Sequence, residues 1–219
     1  MAVDQAAPQH EEESTTMDTQ ATVFIVDDDP AVRGSMSWLL ESVDLPVEVC
    51  ASAQEFLDTY NPAIPGCLVL DIRLPGMGGM ELQKELAVRN IHIPIIIVTG
   101  HAEVPMAVRA MKAGAVDFIE KPFSDQVLLD CIRTALQRDS ESRGDDIRRE
   151  EIATRIRTLT PREFEVKEKV VEGNSNKMIA AQLGVSRKTV EAHRAGVMKK
   201  MQAQSVADLV RMVTEYRSL

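Results

Sequence analysis

Five polar side chains stand at or just beyond the ends of short apolar runs, and their types suit phosphoryl chemistry. Asp27, Asp28 and Asp71 supply carboxylates, Thr99 a hydroxyl and Lys121 an ammonium group. Converging carboxylates repel one another unless a cation is present, and hard carboxylate and carbonyl oxygens suit Mg²⁺. A carboxylate is also a competent nucleophile toward phosphorus. Transfer of a phosphoryl group needs positive charge and hydrogen-bond donors around its oxygens, which Lys121 and Thr99 could supply.

The elements that must position these residues are buried parallel strands. Apolar runs rich in β-branched residues at 23–26, 67–70, 95–98 and 116–119 are separated by helix-length segments, and a half-buried second strand follows the first helix. This pattern predicts an α/β domain over residues 21–138, with a doubly wound five-stranded parallel sheet in the order 2-1-3-4-5. Because ligands bind outside the carboxyl ends of such strands, the five polar side chains should lie at one edge of the sheet.

These side chains also admit a purely structural role or a different chemistry. Any one of them, taken alone, is more simply a helix cap or a surface group of an ordinary βα protein, so the prediction depends on the whole set. The Asp27-x-Asp29 pair also suits an aspartate-nucleophile phosphatase. Ala31, however, stands where such enzymes carry a threonine, and the sequence has no evident cap domain. Steady turnover of phosphate esters would identify a phosphatase.

Residues 21–138 resemble a two-component receiver domain. The matching strings are Val-Asp-Asp-Asp at 26–29, Leu-Asp-Ile-Arg-Leu-Pro-Gly-Met at 70–77, Val-Thr-Gly-His at 98–101 and Asp-Phe-Ile-Glu-Lys-Pro-Phe at 117–123. The resemblance implies that Asp71 is the phosphoacceptor and that Phe118 is an aromatic switch. It also implies phosphoryl contacts from Thr99 and Lys121, a cis Lys121–Pro122 peptide, and a Mg²⁺ ion held by Asp27, Asp28, Asp71 and the Arg73 backbone carbonyl. Gly78 departs from the family, which more often has a polar residue there.

Charge divides the chain into an acidic body and a basic end. Residues 1–154 carry 12 Lys and Arg against 27 Asp and Glu, a balance of −15, whereas residues 155–219 carry 13 against 7, a balance of +6. Only the basic part is therefore expected to meet a polyanion. Residues 1–20 are acidic and predict a disordered tail, and residues 139–157 predict a charged, partly helical linker.

Composition indicates a cytoplasmic protein with no membrane association. No apolar run approaches the roughly 20 residues of a membrane span, and the amino terminus has neither the basic nor the apolar region of a signal peptide. Cys50, Cys67 and Cys131 share no close spacing. They are interpreted as reduced core residues rather than metal ligands or disulfide partners.

The basic end predicts a small all-α domain over residues 158–219. Thr160-Pro-Arg-Glu163 has the pattern of a capping box with proline at the first helical position. Further helix starts are expected near Ser175, Ser186 and Ser205. Helices at 176–183 and 187–201, joined by Gly-Val-Ser, predict a helix-turn-helix.

This domain resembles the LuxR/NarL-type helix-turn-helix, and the whole chain resembles a FixJ-type response regulator. The matching strings begin at Leu159, Asn176, Ser186 and Met198. Helix starts hold phosphates and the first turns of a recognition helix reach base edges. These rules predict DNA contacts by Ser175, Asn176, Lys177, Arg187, Lys188, Thr189, Glu191, Ala192 and Arg194. His193 and Lys199, farther along the same motif, complete the expected contacts.

Several of these assignments have structural alternatives. Val190, Val197 and Met201 have the spacing of core residues, and His193 suits either a phosphate contact or a packed role. The lysines near the end of the second helix could complement the helix dipole. Because NarL-like proteins have lysines at the places of Glu191 and Ala195, their base code does not transfer to this chain.

Together these patterns predict a transcriptional regulator of a two-component system and not an enzyme, beyond catalysis of its own phosphorylation and dephosphorylation. The expected partners are a sensor histidine kinase, a promoter inverted repeat of double-stranded DNA, RNA polymerase and a second copy of the chain. The FixJ-type resemblance points to Val108 and Lys112 as contacts of a phosphorylation-dependent dimer. An RNA-binding or protein-interaction output is the remaining alternative, and the helix-turn-helix strings weigh against it.

Overall fold

The computed structural model describes residues 20–217 and divides into two compact units after Ser140. The tail predicted over residues 1–20 lies outside the described residues except for Gln20. The first unit contains the strands β1 (Thr22–Val26), β2 (Val47–Cys50), β3 (Gly66–Asp71), β4 (Ile95–Thr99) and β5 (Asp117–Glu120). Its helices are α1 (Pro30–Glu41), α2 (Ala53–Thr59), α3 (Gly79–Val88), α4 (Val104–Lys112) and the first half of α5 (Asp125–Arg157).

The five strands form one parallel sheet in the order β2-β1-β3-β4-β5, which confirms the predicted topology. Leu70 of β3 lies opposite Val26 of β1 and Ile97 of β4. The carboxyl ends of these three central strands therefore lie beside one another in the sheet. In consequence Asp71, which ends β3, and Asp27, which follows β1, emerge at the same edge of the sheet.

Alternation along the strands builds two cores, one on each face of the sheet. On β1, Phe24 and Val26 belong to one cluster, which also contains residues of α2, α3 and α4. Val23 and Ile25 belong to the other, which contains residues of α1 and α5. Strands buried on both faces explain the near-continuous apolar runs in the sequence.

The three cysteines, interpreted from the sequence as reduced core residues, are free thiols in the structure. Cys50 and Cys67 are buried, and burial raises the pKa of Cys67 to about 12. Cys131 is half-buried, and its Sγ donates to Asp117 Oδ2 at 3.1 Å. Burial, followed by that hydrogen bond, raises the pKa of Cys131 to about 12. These thiols therefore have little thiolate character.

The segment at 139–157, predicted as a partly helical linker, is continuous helix and forms the second half of α5. Ion pairs one turn apart, Asp146–Arg149 at 3.0 Å and Glu151–Arg155 at 3.6 Å, support its charged stretch. Near its end, Ile152 is buried in the core of the second unit, with Ile156 packed against it. Packing of the second unit therefore begins before residue 158, because the last turns of α5 supply part of its core.

The second unit is all helical, as predicted, with α6 (Pro161–Val171), α7 (Asn176–Leu183), α8 (Arg187–Met201) and α9 (Val206–Arg217). Each predicted helix start is present: the side chains of Thr160, Ser175, Ser186 and Ser205 accept backbone N–H groups of the following turn. Within residues 20–217, no helix is long and apolar enough to cross a membrane.

A buried aspartate fixes α5 to the amino end of the central strand. Asp139 is 3% exposed, and its Oδ2 accepts the backbone N–H of Gly66 at 2.9 Å. Pairing of β3 with β4 begins at Leu68, two residues after Gly66. The Gly66 N–H therefore has no hydrogen-bond partner in β4. A Cβ at Gly66 would lie 1.9 Å from the Thr22 carbonyl oxygen, so only glycine fits there. Asp139 thus satisfies a backbone group that the sheet leaves open.

We expect Asp139→Ala to destabilise the first unit by about 1–3 kcal/mol, because the Gly66 N–H would remain buried without an acceptor. Urea unfolding measures the loss, and hydrogen exchange should show faster exchange in the peptide containing Gly66. Asp130→Ala, which removes an exposed aspartate of the same helix, is the control and should change stability by less than about 0.5 kcal/mol. Equal stabilities of the two variants would contradict the role of Asp139.

Candidate metal centre and nucleic-acid interface

Three carboxylates converge at the carboxyl edge of the sheet. One oxygen from each of Asp27, Asp28 and Asp71 lies within 4.8 Å of the others. Asp27 is 1% exposed and Asp71 is 9% exposed, whereas Asp28 faces solvent. The structure therefore brings together the acidic residues that the sequence predicts as a set.

Local backbone contacts orient two of these carboxylates. Asp27 Oδ1 accepts the N–H of Asp29 at 2.9 Å, and Asp71 Oδ1 accepts the N–H of Arg73 at 3.1 Å. Both bonds span two residues and form turns directly after a strand, a conformation that aspartate favours. Each turn leaves the second carboxylate oxygen, Oδ2, directed at a third group.

That third group is the ammonium of Lys121. Its Nζ lies 2.6 Å from Asp27 Oδ2 and 3.0 Å from Asp71 Oδ2. Burial alone would lower the pKa of Lys121, but its hydrogen bonds to both carboxylates and their negative charges outweigh burial, so the pKa is raised. Lys121 therefore remains a cation at neutral pH and offsets part of the repulsion among the three acids.

Thr99 and Phe118 lie on the neighbouring strands. Thr99 ends β4 and is 1% exposed, and its Oγ1 accepts the N–H of His101 at 3.3 Å. Its carbonyl oxygen accepts the N–H of Lys121 at 2.8 Å, which ties the end of β4 to the lysine. Phe118 of β5 is half-buried against the core that contains α4. The Lys121–Pro122 peptide is cis, as the resemblance implied.

Two supporting residues were missed in the sequence. Arg33, in the first turns of α1, donates from Nη1 to the Asp27 carbonyl oxygen at 2.6 Å and so fixes the chain that follows β1. Gly79 begins α3, and a Cβ there would lie 2.2 Å from the Asp71 carbonyl oxygen. Gly79 therefore allows α3 to approach the Asp71 backbone. Nothing in the sequence marks an arginine seven residues after a strand end as part of a site. The adjacent glycines at 78 and 79, in contrast, are a visible signal of a special backbone position.

The donor set fits a hard divalent cation. The converging groups are all carboxylate oxygens, which Mg²⁺ prefers as ligands. Lys121 occupies one oxygen of two of the acids, so a bound cation would share them with the ammonium.

Helix α8, the second helix of the predicted helix-turn-helix and its expected recognition helix, separates clearly into a buried and an exposed face. Val190, Val197 and Met201 are at most 1% exposed and belong to the core, as their spacing indicated. The exposed residues, which include most of the predicted contacts of this helix, are Arg187, Lys188, Glu191, Ala192, Ala195 and Lys199. His193 is half-buried, which is compatible with either a phosphate contact or a packed role.

The remaining predicted contacts lie at the start of α7 or within α8, and several already have partners. Ser175 caps α7, and Thr189 bonds to the Ser186 cap through both its N–H, at 3.1 Å, and its hydroxyl, at 2.8 Å. Lys177 is exposed. Arg194 is half-buried, and its Nη1 donates to Asn176 Oδ1 at 2.6 Å.

Helix α6 is fixed to the recognition helix by a partly buried ion pair. Lys200 Nζ lies 2.6 Å from Glu163 Oε2, while the Glu163 carboxylate also accepts the Thr160 N–H of the capping box. The bond from Lys200, followed by that from Thr160, lowers the pKa of Glu163 to about 2. Lys200 therefore serves packing, whereas Lys199 beside it is exposed.

The sequence matches two families of known proteins over most of its length. Residues 23–133 match the response regulator receiver domain and residues 157–213 match the luxR family of bacterial regulatory proteins. The chain is 49% identical over 198 residues to nodulation protein W of Bradyrhizobium diazoefficiens, covering 90% of this chain and 87% of that protein. It is 48% identical over 190 residues to transcriptional regulatory protein FixJ of Azorhizobium caulinodans, covering 87% and 90%.

Solved structures give the same result. The response regulator StyR is 43% identical with a TM-score of 0.79, over 90% of this chain and 100% of that one. Full-length FixJ from B. japonicum is 41% identical with a TM-score of 0.55, over 92% and 99%.

The chain combines an acidic site at the carboxyl edge of a five-stranded parallel sheet with a helix-turn-helix unit. This combination defines a two-domain signalling regulator. The chain belongs to the response regulators that combine a receiver domain with a LuxR-type DNA-binding domain, and it is a transcriptional regulator of a two-component system. Membership implies a histidine kinase and DNA as partners, and it sets the chain apart from classical enzymes.

We expect Lys121→Met to bind Mg²⁺ about tenfold more tightly, because removal of a positive charge from the acidic cluster lowers the electrostatic cost of adding the cation. Titration calorimetry at low ionic strength measures this affinity. Lys112→Met, which removes an exposed lysine at the end of α4, is the matched control and should leave the affinity unchanged. If Lys121→Met bound Mg²⁺ no more tightly than the control, Lys121 would not be the charge that balances the cluster.

Proposed function

We propose that Asp71 is the phosphoacceptor and that its phosphorylation controls DNA binding by the C-terminal domain. The observation that carries this is the convergence of three carboxylates, two of them paired with the Lys121 ammonium group, at the end of the central strand β3. Asp71 is the better nucleophile of the two acids that Lys121 contacts, because its side chain is 11% exposed against 2% for Asp27. An incoming phosphoryl group can therefore reach it more easily.

The chemistry assigned to Asp71 is a single displacement. A carboxylate oxygen attacks the phosphorus of a phosphohistidine or a small acyl phosphate, a P–O bond forms, and the bond to the leaving nitrogen or oxygen breaks. Lys121, which already contacts Asp71, neutralises charge on the phosphoryl oxygens, and the Thr99 hydroxyl donates to one of them. Phe118 is the aromatic residue that changes position with Thr99.

Asp27, Asp28, Asp71 and the Arg73 carbonyl would hold Mg²⁺ at this site. When bound, the ion supplies positive charge to the transferring phosphoryl group. The protein's own groups hold the acids in place, since Arg33 and the Asp29 N–H fix the chain at Asp27. Hydrolysis of the aspartyl phosphate by the same site is the matching self-catalysed dephosphorylation.

The phosphatase alternative is disfavoured by Asp29. Its side chain accepts the Ala31 N–H at 2.8 Å and caps α1, so it serves as a helix cap. Such a phosphatase would need that carboxylate as its acid and base.

Asp71→Asn should abolish labelling by acetyl phosphate in the presence of Mg²⁺, because the amide nitrogen and oxygen are poor nucleophiles toward phosphorus. Labelling with radioactive donor, with and without EDTA, measures this. Asp58→Asn, an exposed aspartate of α2, is the control and should label as the wild type does. Equal labelling of Asp71→Asn would place the phosphoryl group on another residue.

We propose that phosphorylation promotes a homodimer through α4. Three apolar side chains of this helix face solvent: Val104 is 78% exposed, Val108 is 45% and Met111 is 46%. Lys112 ends the helix beside them. A dimer would couple the switch to DNA affinity, because two half-site contacts on one assembly act at high effective concentration.

Val108→Asp should prevent dimerisation of the phosphorylated protein, since a carboxylate would be buried in an apolar contact. Analytical ultracentrifugation with and without acetyl phosphate measures the assembly. Val88→Asp introduces the same charge at an 81% exposed valine of α3 and should leave the dimer intact. A wild-type protein that stays monomeric when fully phosphorylated would refute the coupling.

We propose that the C-terminal domain binds an inverted repeat in promoter DNA, with α8 in the major groove. The exposed positions of α8 support this, with Lys188 and Glu191 at base edges and Lys199 near the backbone. The start of α7, with Ser175, Asn176 and Lys177, would contact phosphate. RNA polymerase is the expected further partner, and the cytoplasm the expected compartment.

A further inference from the structure

One hydrogen bond joins the two helices of the DNA-binding motif at a distance from their turn. Arg194 Nη1 of α8 donates to Asn176 Oδ1 of α7 at 2.6 Å, and both side chains are half-buried. Asn176 is the first residue of α7, whereas Arg194 lies about two turns into α8. The bond therefore spans the motif from the start of one helix to the middle of the other.

The turn between the helices fixes the opposite end of α7. Gly184 follows α7 in the left-handed region at φ 66°, and Ser186 then caps α8. The turn joins the end of α7 to the start of α8, and apolar residues of both helices, Ile179 and Val190 among them, are buried in one core. The Arg194–Asn176 bond adds a polar connection at the start of α7, so that the phosphate-facing start of α7 and the base-facing side of α8 are held at a defined separation.

The chemistry of the two side chains also orients the asparagine amide. A guanidinium group has only donors, so the amide must present Oδ1 to it, and the Nδ2 group is left as a donor for another acceptor. Among the described residues, Nδ2 of Asn176 makes no hydrogen bond. A phosphate oxygen is an acceptor of the kind that a helix start presents to DNA.

We propose that Arg194 is a positioning residue for DNA recognition that acts through Asn176, and not a reader of base edges. Its guanidinium sets the separation of α7 and α8 and turns the Asn176 amide so that Nδ2 faces outward. This revises the sequence-based assignment of Arg194 as a direct contact. It rests on the proposed DNA binding by this domain and extends it to the residue that sets the geometry.

The test is a double-mutant cycle in the full-length protein treated with acetyl phosphate and Mg²⁺. A duplex is first selected from a random library with the wild-type protein, and a scrambled duplex of the same length serves for non-specific binding. The variants are Asn176→Ala, Arg194→Met and the double substitution, where methionine keeps an unbranched stem. Arg194→Lys keeps one donor group, and thermal unfolding of each variant checks that the domain remains folded.

Each single substitution should weaken binding to the selected duplex roughly tenfold. The double variant should have an affinity no lower than that of the less tightly binding single variant, because both substitutions break the same hydrogen bond. Arg194→Met should leave the salt dependence of binding unchanged and should weaken discrimination at all base positions together. Arg194→Lys, which keeps one donor group, should bind the selected duplex more tightly than Arg194→Met does. Lys188→Ala, on the exposed face of the same helix, is the control: it should relax one position or lower the salt slope by about one.

Three results would overturn the proposal. Additive losses would show that Arg194 and Asn176 act independently. Relaxed preference at a single base pair in Arg194→Met would make Arg194 a base reader, and a salt slope lowered by about one would make it a phosphate contact. A wild-type protein that selects no duplex would instead contradict the proposed DNA binding itself, so the two failures are distinguishable.

Discussion

The ammonium group of Lys121, held between Asp27 and Asp71, is the interaction on which the receiver site depends. Three carboxylates within 4.8 Å would repel one another strongly in a partly buried setting. Lys121 offsets part of that repulsion through contacts of 2.6 and 3.0 Å and leaves the site still net negative. Such a site would gain from an added cation, and the proposed phosphorylation of Asp71 would change its charge. A switch at this place therefore needs only a local change of charge.

The fold determines which parts of the structure are connected to a change of charge at the acidic site. Asp71 ends β3, whose first residue, Gly66, is held by Asp139 of α5. The same strand thus joins the acidic site at one edge of the sheet to α5 at the other. Thr99 and Lys121 connect β4 with the segment after β5 by a backbone hydrogen bond of 2.8 Å. The contacts of the site therefore extend to α5 and to the strands beside α4.

Much of the receiver could be predicted from the sequence, because buried parallel strands give continuous apolar runs whose ends mark one edge of the sheet. The strand order and the acidic cluster followed from that pattern, and the helices at 176–183 and 187–201 followed from their caps and turn. The conformation of residues 139–157 was harder to predict, since a run of charged residues resembles a solvated linker. Their helix is stabilised by ion pairs one turn apart and by the packing of Ile152, which only the folded chain reveals.

Individual side-chain contacts were the least predictable part. Composition favoured Arg194 as a DNA contact because it is a long cation in a recognition helix, yet its partner is Asn176, 18 residues earlier. Arg33 and Gly79 act on backbone carbonyl groups, and no local spacing announces such contacts. Core and exposed faces of α8, in contrast, followed its helical period.

The central claim is that occupation of the Asp71 site raises the DNA affinity of the C-terminal domain. Beryllofluoride, which mimics a phosphoryl group on a carboxylate, tests it without a kinase. The affinity of the full-length protein for its selected duplex should rise at least about tenfold with beryllofluoride and Mg²⁺, through paired half-site binding, while fluorine NMR confirms that the site is filled. An unchanged affinity at full occupancy would contradict the claim.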